Sequence, residues 1–437
     1  MSKLISKTFT SNSTFTVPAG INKVMVSSNS PFVSAFSNVS NLSTSYHTLL
    51  LHSTQIWAFG LNSSGALGTN DTTSKSLPVQ IVGNHSFIKA SGGGTHSIAL
   101  KANGEVWAWG ANTNGRLGDN SVTNRSSPVQ VVGGHSFVKI SAGNAYSLAL
   151  KANGEVWAWG LNSSGQLGDN SVVSRSSPVQ VVGGHSFIEI SAGSSHSMAL
   201  KANGEVWAWG SNGSGRLGDN SVTDRSSPVQ VVGGHSFIEI AAGAVHSMAL
   251  KANGEVWAWG INTSGRLGDN SVVNRSSPVQ VVGGHSFTQI SAGDAHSVAL
   301  KANGEVWAWG TNTNGQLGDN STVAKSSPVQ VVGGHSFTEI SAGAEHSLAR
   351  DSFGQVWAWG RNNNGQLGNN SVTNRSSPVQ ILGGNYTSQS NMFLQSFFMI
   401  NVVPNTTYDI IIDITGCYFG DTMISGPNKS MTVSWVI

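Results

Sequence analysis

Between Gly183 and Val232 the apolar residues fall in four short runs, and none has the 3.6-residue spacing of an amphipathic helix. His185 to Gly193 begins by alternating and ends in the small residues Ser191-Ala192-Gly193. After Ser194-Ser195 comes a second run, His196 to Leu200. Lys201-Ala202-Asn203-Gly204-Glu205 joins it to Val206-Trp207-Ala208-Trp209. Asn-Gly between apolar runs is a strong hairpin signal, because both residues accept positive φ. A polar loop runs from Gly210 to Ser227. Pro228 to Val232 then reads as a fourth strand, its leading proline suited to a strand start or an edge. The pattern predicts a four-stranded antiparallel meander.

The same pattern returns every 50 residues, marked by Trp-Ala-Trp-Gly at Trp107, Trp157, Trp207, Trp257, Trp307 and Trp357, with a relaxed copy at Trp57-Ala58-Phe59-Gly60. A period this long means one supersecondary unit repeated. In each unit alternation sends both tryptophans to one face and Val and Ala to the other, so both faces are apolar. Units must then stack face on face, and a closed ring leaves no end exposed. The expectation is an all-β chain whose residues 36–385 form a seven-bladed β-propeller of four-stranded antiparallel blades. Residues 1–35 and 386–437 supply the two parts of a split β-domain. The tryptophan pairs Trp107/Trp109, Trp157/Trp159, Trp207/Trp209, Trp257/Trp259, Trp307/Trp309 and Trp357/Trp359 are assigned to packing between blades.

The wording of the unit carries a resemblance. Ile190-Ser191-Ala192-Gly193-Ser194-Ser195-His196-Ser197-Met198-Ala199-Leu200, followed by Gly204-x-Val206-Trp207-Ala208-Trp209-Gly210-x-Asn212-x-x-Gly215-x-Leu217-Gly218, resembles the repeat of the regulator of chromosome condensation family. The resemblance implies a seven-bladed propeller, in agreement with the count of units. It implies no single activity, since members include an exchange factor for a small GTPase, a plant UV-B photoreceptor and secreted bacterial β-lactamase inhibitors. The exchange factor's wedge-like insertion has no counterpart in these evenly spaced units. The photoreceptor's tryptophans, just before the recurrent histidine, are replaced by Ser195, Val245, Ala295 and Glu345.

That histidine recurs as His47, His96, His196, His246, His296 and His346, with Tyr146 completing the ring. A ring of imidazoles raises the question of a metal. Blades hold such residues too far apart for one ion at Zn–N distances of about 2 Å. The family resemblance implies an architectural role instead, with each imidazole bonded to backbone. A second series, His85 to His335, is read as turn residues. Asp119, Asp169, Asp219, Asp269 and Asp319 lie in Asp-Asn-Ser segments that lack the spaced acidic ligand of a calcium loop, and read as Asx turns. No nucleophile–base pair, carboxylate pair or phosphate loop stands out from the repeat. Catalytic residues, metal and cofactor are each expected to be none.

Comparing the units with one another is more informative. Lys-Ala-Asn-Gly-Glu is identical in five consecutive units, as is the junction Pro-Val-Gln-Val-Val-Gly-Gly-His-Ser-Phe. Differences gather in the turn between strands one and two and in the loop between strands three and four, which a meander places on one side. Asn144, Leu161, Arg216, Ile261, Asp294, Glu345 and Arg361 are therefore the candidate binding residues, on a loop face recognising a protein or surface receptor.

Composition narrows the partners. Only 10 % of residues are charged, against about 25 % in an average protein, and the formal net charge is +2. With no basic stripe, nucleic acid is not an expected partner. No apolar stretch reaches membrane-spanning length, and the N-terminal residues do not read as a signal peptide. The flanking segments Phe15-Thr16-Val17-Pro18-Ala19-Gly20 and Val402-Val403-Pro404-Asn405-Thr406-Thr407-Tyr408 resemble small β-domains of phage tail and other virion proteins. They suggest self-assembly or attachment to a larger particle, hence a virion or cell-surface location. The alternatives are an intracellular regulator docking a small GTPase or other soluble protein, and a secreted inhibitor.

Overall fold

The computed structural model describes residues 4–9, 13–16, 23–28, 39–382, 396–401, 407–412, 417–419, 422–425 and 431–436. The chain divides into two compact units, residues 35–384 and residues 1–34 together with 385–437.

The first unit is a seven-bladed β-propeller. Each blade is a four-stranded antiparallel sheet built from consecutive strands, the fourth blade being Glu189–Ala192, His196–Leu200, Val206–Gly210 and Arg225–Gln230. Blade one starts at Val39–Thr44 and blade seven ends at Arg375–Gln380. Among the described residues every strand belongs to a sheet of this kind or to the flanking unit, and no helix occurs.

The core lies between blades rather than within one. Leu148, Leu150, Val156 and Ala158 of blade three meet Ile190, Ala199 and Trp209 of blade four. Val206 and Ala208, flanking Trp207 on the same strand, turn the other way and meet Ala249 and Trp259 of blade five. Period-two alternation thus divides one strand between two interfaces. The ring closes in the same manner, with Leu50 and Phe59 of blade one against Leu348, Val356 and Ala358 of blade seven. Closure uses face packing and hydrogen bonds such as Ala344 N to Ser45 O at 2.9 Å, and no blade borrows a strand from the other end of the chain.

Around the axis the first strands of neighbouring blades are not paired backbone to backbone. Side chains bridge them: Ser91 Oγ accepts from Ala142 N at 3.0 Å, Ser141 Oγ from Ala192 N at 3.0 Å, and Ser191 Oγ from Ala242 N at 2.9 Å. Small residues are required here. A Cβ on Gly193 would lie 2.4 Å from the Gly243 carbonyl oxygen of the next blade.

Two boundaries differ from those read in the sequence. The first strand covers only Glu189–Ala192, because Gly183 and Gly184 both take positive φ and turn the chain inward. His185 to Phe187 therefore lie outside the strand, with Phe187 N donating to Gly154 O at 3.0 Å. The fourth strand runs Arg225–Gln230 and carries Pro228 in its interior. It is the outer edge of the blade, and its register shifts between Ala208 and Gly210, so the missing N–H of Pro228 is tolerated.

The second unit holds two four-stranded antiparallel sheets. One orders Leu4–Phe9, Met431–Val436, Lys23–Ser28 and Ser396–Asn401, and the other Ser13–Thr16, Thr407–Ile412, Cys417–Phe419 and Thr422–Ser425. Each sheet mixes strands from both ends of the chain. The sequence reads Thr14 to Val26 as two strands around a Pro18-Ala19-Gly20 turn, and Phe397 to Val403 and Tyr408 to Ile414 as two strands around a Pro404 to Thr407 turn. In each pair the two strands instead enter different sheets, because each finds its partner at the opposite terminus. The turns at Pro18-Ala19-Gly20 and Pro404-Asn405 lie outside the described residues.

Candidate functional site

The candidate surface is built by the loop between strands three and four and by the turn between strands one and two. The two are tied together in every blade, as by Leu161 N donating to Ala145 O at 2.9 Å and Ile261 N to Val245 O at 3.0 Å. Gly210 makes this approach possible. Its φ is +102°, and a Cβ there would meet Ser195 O at 2.6 Å.

The loop is organised by a fully buried asparagine at positions 62, 112, 162, 212, 262, 312 and 362, which the repeat wording includes as Asn212 without assigning it a role. Asn212 Oδ1 accepts from Leu217 N at 3.0 Å. Its Nδ2 donates to Asp219 Oδ1 at 2.9 Å and to Ser221 O at 3.2 Å. Its presence in all seven units, shared with Gly215, Leu217, Gly218 and Asn220 of the same loop, is the sequence signal for it. Asp219 completes the set: Ser221 N and Oγ bond its carboxylate, and Arg225 bridges it at 3.0 Å. These bonds hold the Asp219 carboxyl below its ordinary range, although burial opposes them. All of its acceptor positions are thereby directed to the loop itself. Asn212→Ala is expected to cost about 2–3 kcal/mol, because Leu217 N is left as a buried donor without an acceptor. Chemical denaturation would show this, and an unchanged midpoint would mean that the asparagine is dispensable.

On this framework stand the seven candidate residues. Asn144, Asp294 and Glu345 come from the strand one to two turns, Leu161, Ile261 and Arg361 begin the long loops, and Arg216 lies further along one. Asn144 is exposed and the other six are half-buried. Asn144 and Asp294 also line the mouth of the central channel on this face. Asp294 accepts from Tyr46 Oη at 3.1 Å, and burial raises its carboxyl above the ordinary value. Glu345 and Arg361 form an ion pair with each other. The surface therefore differs from blade to blade in charge and in apolar character.

The histidine ring sits deeper, at 0–1 % exposure. The partner of each imidazole is a hydroxyl of the next blade, a serine for five of the six, not the backbone that the resemblance implied. His196 Nε2 lies 2.9 Å from Ser247 Oγ, which donates its only proton to Arg216 O at 2.7 Å. The hydroxyl must then accept, so Nε2 carries the imidazole proton and Nδ1 is bare. Nδ1 has no partner and packs against Gly193. The relay repeats around the ring, with Thr48 replacing serine where His346 meets blade one. At Tyr146 the phenol donates to His196 O at 2.5 Å. Among the described residues no group of three or more His, Cys, Asp or Glu is placed to hold a metal ion.

The tryptophans divide into two kinds. Trp109, Trp159, Trp209, Trp259, Trp309 and Trp359 are fully buried between blades. Trp107, Trp157, Trp207, Trp257, Trp307 and Trp357 are half-buried at the rim of the same interfaces, beside the turn between strands two and three. There the second histidine series has a role beyond that of a turn. His185 lies against Trp207 at 4.1 Å between ring centroids, while Lys201 covers the ring at 4.4 Å.

A family model described as the RCC1-like domain matches residues 130–397, more than half of the chain. Models of the regulator of chromosome condensation (RCC1) repeat match residues 54–100, 103–150 and 87–116. The chain belongs to the RCC1-like family. No curated protein sequence matches it. Among solved structures, human WBSCR16 superposes with a TM-score of 0.68 at 21% identity, covering 75% of this chain and 93% of that one. Prp20p from Saccharomyces cerevisiae gives a TM-score of 0.68 at 22% identity, covering 92% and 94%. Yeast RCC1 (Prp20) bound to Kap60 gives 0.68 at 22%, covering 90% and 89%. At these identities the likeness establishes the fold of this RCC1-like propeller. Among its described residues no helix is long and apolar enough to cross a membrane.

Proposed function

We propose that this RCC1-like propeller is a non-enzymatic docking module that binds another soluble protein, inside the cell, through its loop face. The observation that carries the reading is the gathering of seven dissimilar, accessible side chains on one side of a rigid disc. Binding residues favour loops held by such a scaffold. The solved structure of Prp20p is described with its binding properties to Gsp1p and histones, which supports a protein as the partner class. A small GTPase is the first candidate. Docking is proposed without nucleotide exchange, because each blade consists of its four strands alone among the described residues. A virion or appendage role rested on two short flanking segments, and no relative supports it.

The test is affinity capture with two variants of the whole chain. One exchanges Leu161, Arg216, Ile261, Asp294 and Glu345 together. The other replaces Gln130, Gln180 and Gln230, which are exposed on the opposite face. The loop-face exchange is expected to lose the partners captured by the unaltered chain, and the glutamine variant to keep them. Retention of every partner by the loop-face exchange would sink the reading.

A further inference from the structure

One loop position, four residues after the buried asparagine, differs between blades in a way the fold does not require. It holds Arg116, Arg216 and Arg266 in blades two, four and five, and Gln166, Gln316 and Gln366 in blades three, six and seven. The glutamines serve the loop: Gln166 Oε1 accepts from Ser164 N at 2.9 Å, and Gln316 and Gln366 accept from Asn314 N and Asn364 N in the same way. A neutral side chain therefore occupies this position in three blades, although Gln166 Nε2 finds no partner, and blade one manages with Ala66.

The arginines are held differently. Arg116 and Arg266 are only 8% and 7% exposed. The Nε of all three is buried without an acceptor. Their remaining contacts are neutral: Arg116 donates to Thr95 Oγ1 and Asn114 Oδ1, Arg216 to Ala244 O, and Arg266 to Thr263 Oγ1. Asp224 and Asp294 act on Arg216 and Arg266 through space, but the ion pairs of this face belong to other arginines. Burial accordingly lowers the guanidinium pKa at all three positions. Burying a cation without a counter-charge is costly, and an arriving carboxylate would offset that cost with charge-assisted bonds to the guanidinium.

We propose that Arg116, Arg216 and Arg266 form an anion-receiving arc on the loop face, and that its occupant is a carboxylate-bearing segment of a partner protein. The proposal rests on the reading of that face as the docking surface and adds the chemistry of what docks. An acidic peptide fits better than nucleic acid. Three separated cations on a chain of net charge +2 do not make the continuous basic track that phosphate backbones require.

The test uses the full chain and a fluorescein-labelled octaglutamate peptide in anisotropy titrations, with octaglutamine as the control. The comparison protein is the triple variant Arg116→Gln, Arg216→Gln, Arg266→Gln, whose replacements already occupy this position in three blades. It is therefore expected to unfold at the same temperature as the unaltered chain. Octaglutamate is expected to bind at least about tenfold more tightly than octaglutamine, to weaken with added salt, and to lose about tenfold in the triple variant. Binding that is absent, or equal in the triple variant, would overturn the proposal. So would an oligodeoxynucleotide of equal charge that binds more tightly through the same arginines. The capture experiment separates this failure from that of the docking reading. If the five-residue exchange loses the partner and the triple variant keeps it, the arginine arc falls and the docking face stands. If neither loses it, both fall.

Discussion

Acidification from about pH 7 to about pH 4 is expected to unfold the propeller cooperatively, with the steepest loss of stability between about pH 6 and about pH 4. The cause is the histidine ring. Burial lowers His47 to about 4 and His196, His296 and His346 to about 3, and it holds His96 and His246 well below the ordinary value. The hydrogen-bond relay explains the direction. In His47, His96, His196, His246 and His296, Nε2 already carries a proton, so a second must go to Nδ1, which faces no acceptor. In this pH window the unfolded chain binds protons that the folded ring excludes. The stabilising contribution is therefore complete above the unfolded pKa of about 6.5 and is lost as pH falls toward the folded values. Each histidine contributes up to about 1.4 kcal/mol per pH unit, so six in one cooperative ring contribute up to about 8. Glu239 works in the opposite sense. Burial raises it to about 7 and raises Asp294 as well, so their contribution is present at low pH and lost as pH rises, but they are two groups against six. Thermal unfolding followed across this range would test the account. His196→Gln should flatten the acid slope by about one sixth, and a stability that does not change between neutrality and about pH 4 would refute it.

The two tryptophans of one Trp-Ala-Trp segment are expected to differ sharply when truncated. Trp209→Ala should cost about 3–5 kcal/mol, because the side chain is fully buried between blades three and four and its removal leaves a cavity there. It also removes the indole N–H that bonds Gln166 O at 2.9 Å. Trp207→Ala should cost about 1–2 kcal/mol. That ring is half-buried, and what is lost is its partial packing against the same interface, its contact with His185, the cover of Lys201 and the bond to Glu205. Denaturant unfolding of the two variants, two positions apart in the same strand, isolates the effect of the interface. Equal losses would mean that burial between blades is not what the buried tryptophan supplies.

Much of this architecture could be read from the chain. The second and third strands, His196–Leu200 and Val206–Gly210, follow from alternation and from the Asn203-Gly204 turn, which are local properties of the chain. The closed ring follows from blades that are apolar on both faces. The ends of the first and fourth strands could not be placed in the same way. They depend on the double-glycine turn at Gly183-Gly184 and on a register shift opposite Gly210, and neither changes the hydrophobic pattern. The candidate surface was legible as a set of columns that vary between units. The asparagine beneath it was not, because Asn in a Gly/Ser-rich loop reads as ordinary turn chemistry until its buried bonds are seen.

By itself, then, the sequence determined the period, the sheet and the number of blades, because each repeat carries its own turns and its own alternation. Only the tertiary structure decided the partners of groups separated by a whole repeat. It gave each histidine the hydroxyl of the next blade and left the Nε of Arg116, Arg216 and Arg266 without an acceptor. It also sorted identical tryptophans into a buried and a half-buried set. The physical reason is the same in each case: hydrogen bonding, desolvation and packing depend on what lies across an interface, and identical repeats carry no local mark of their neighbours.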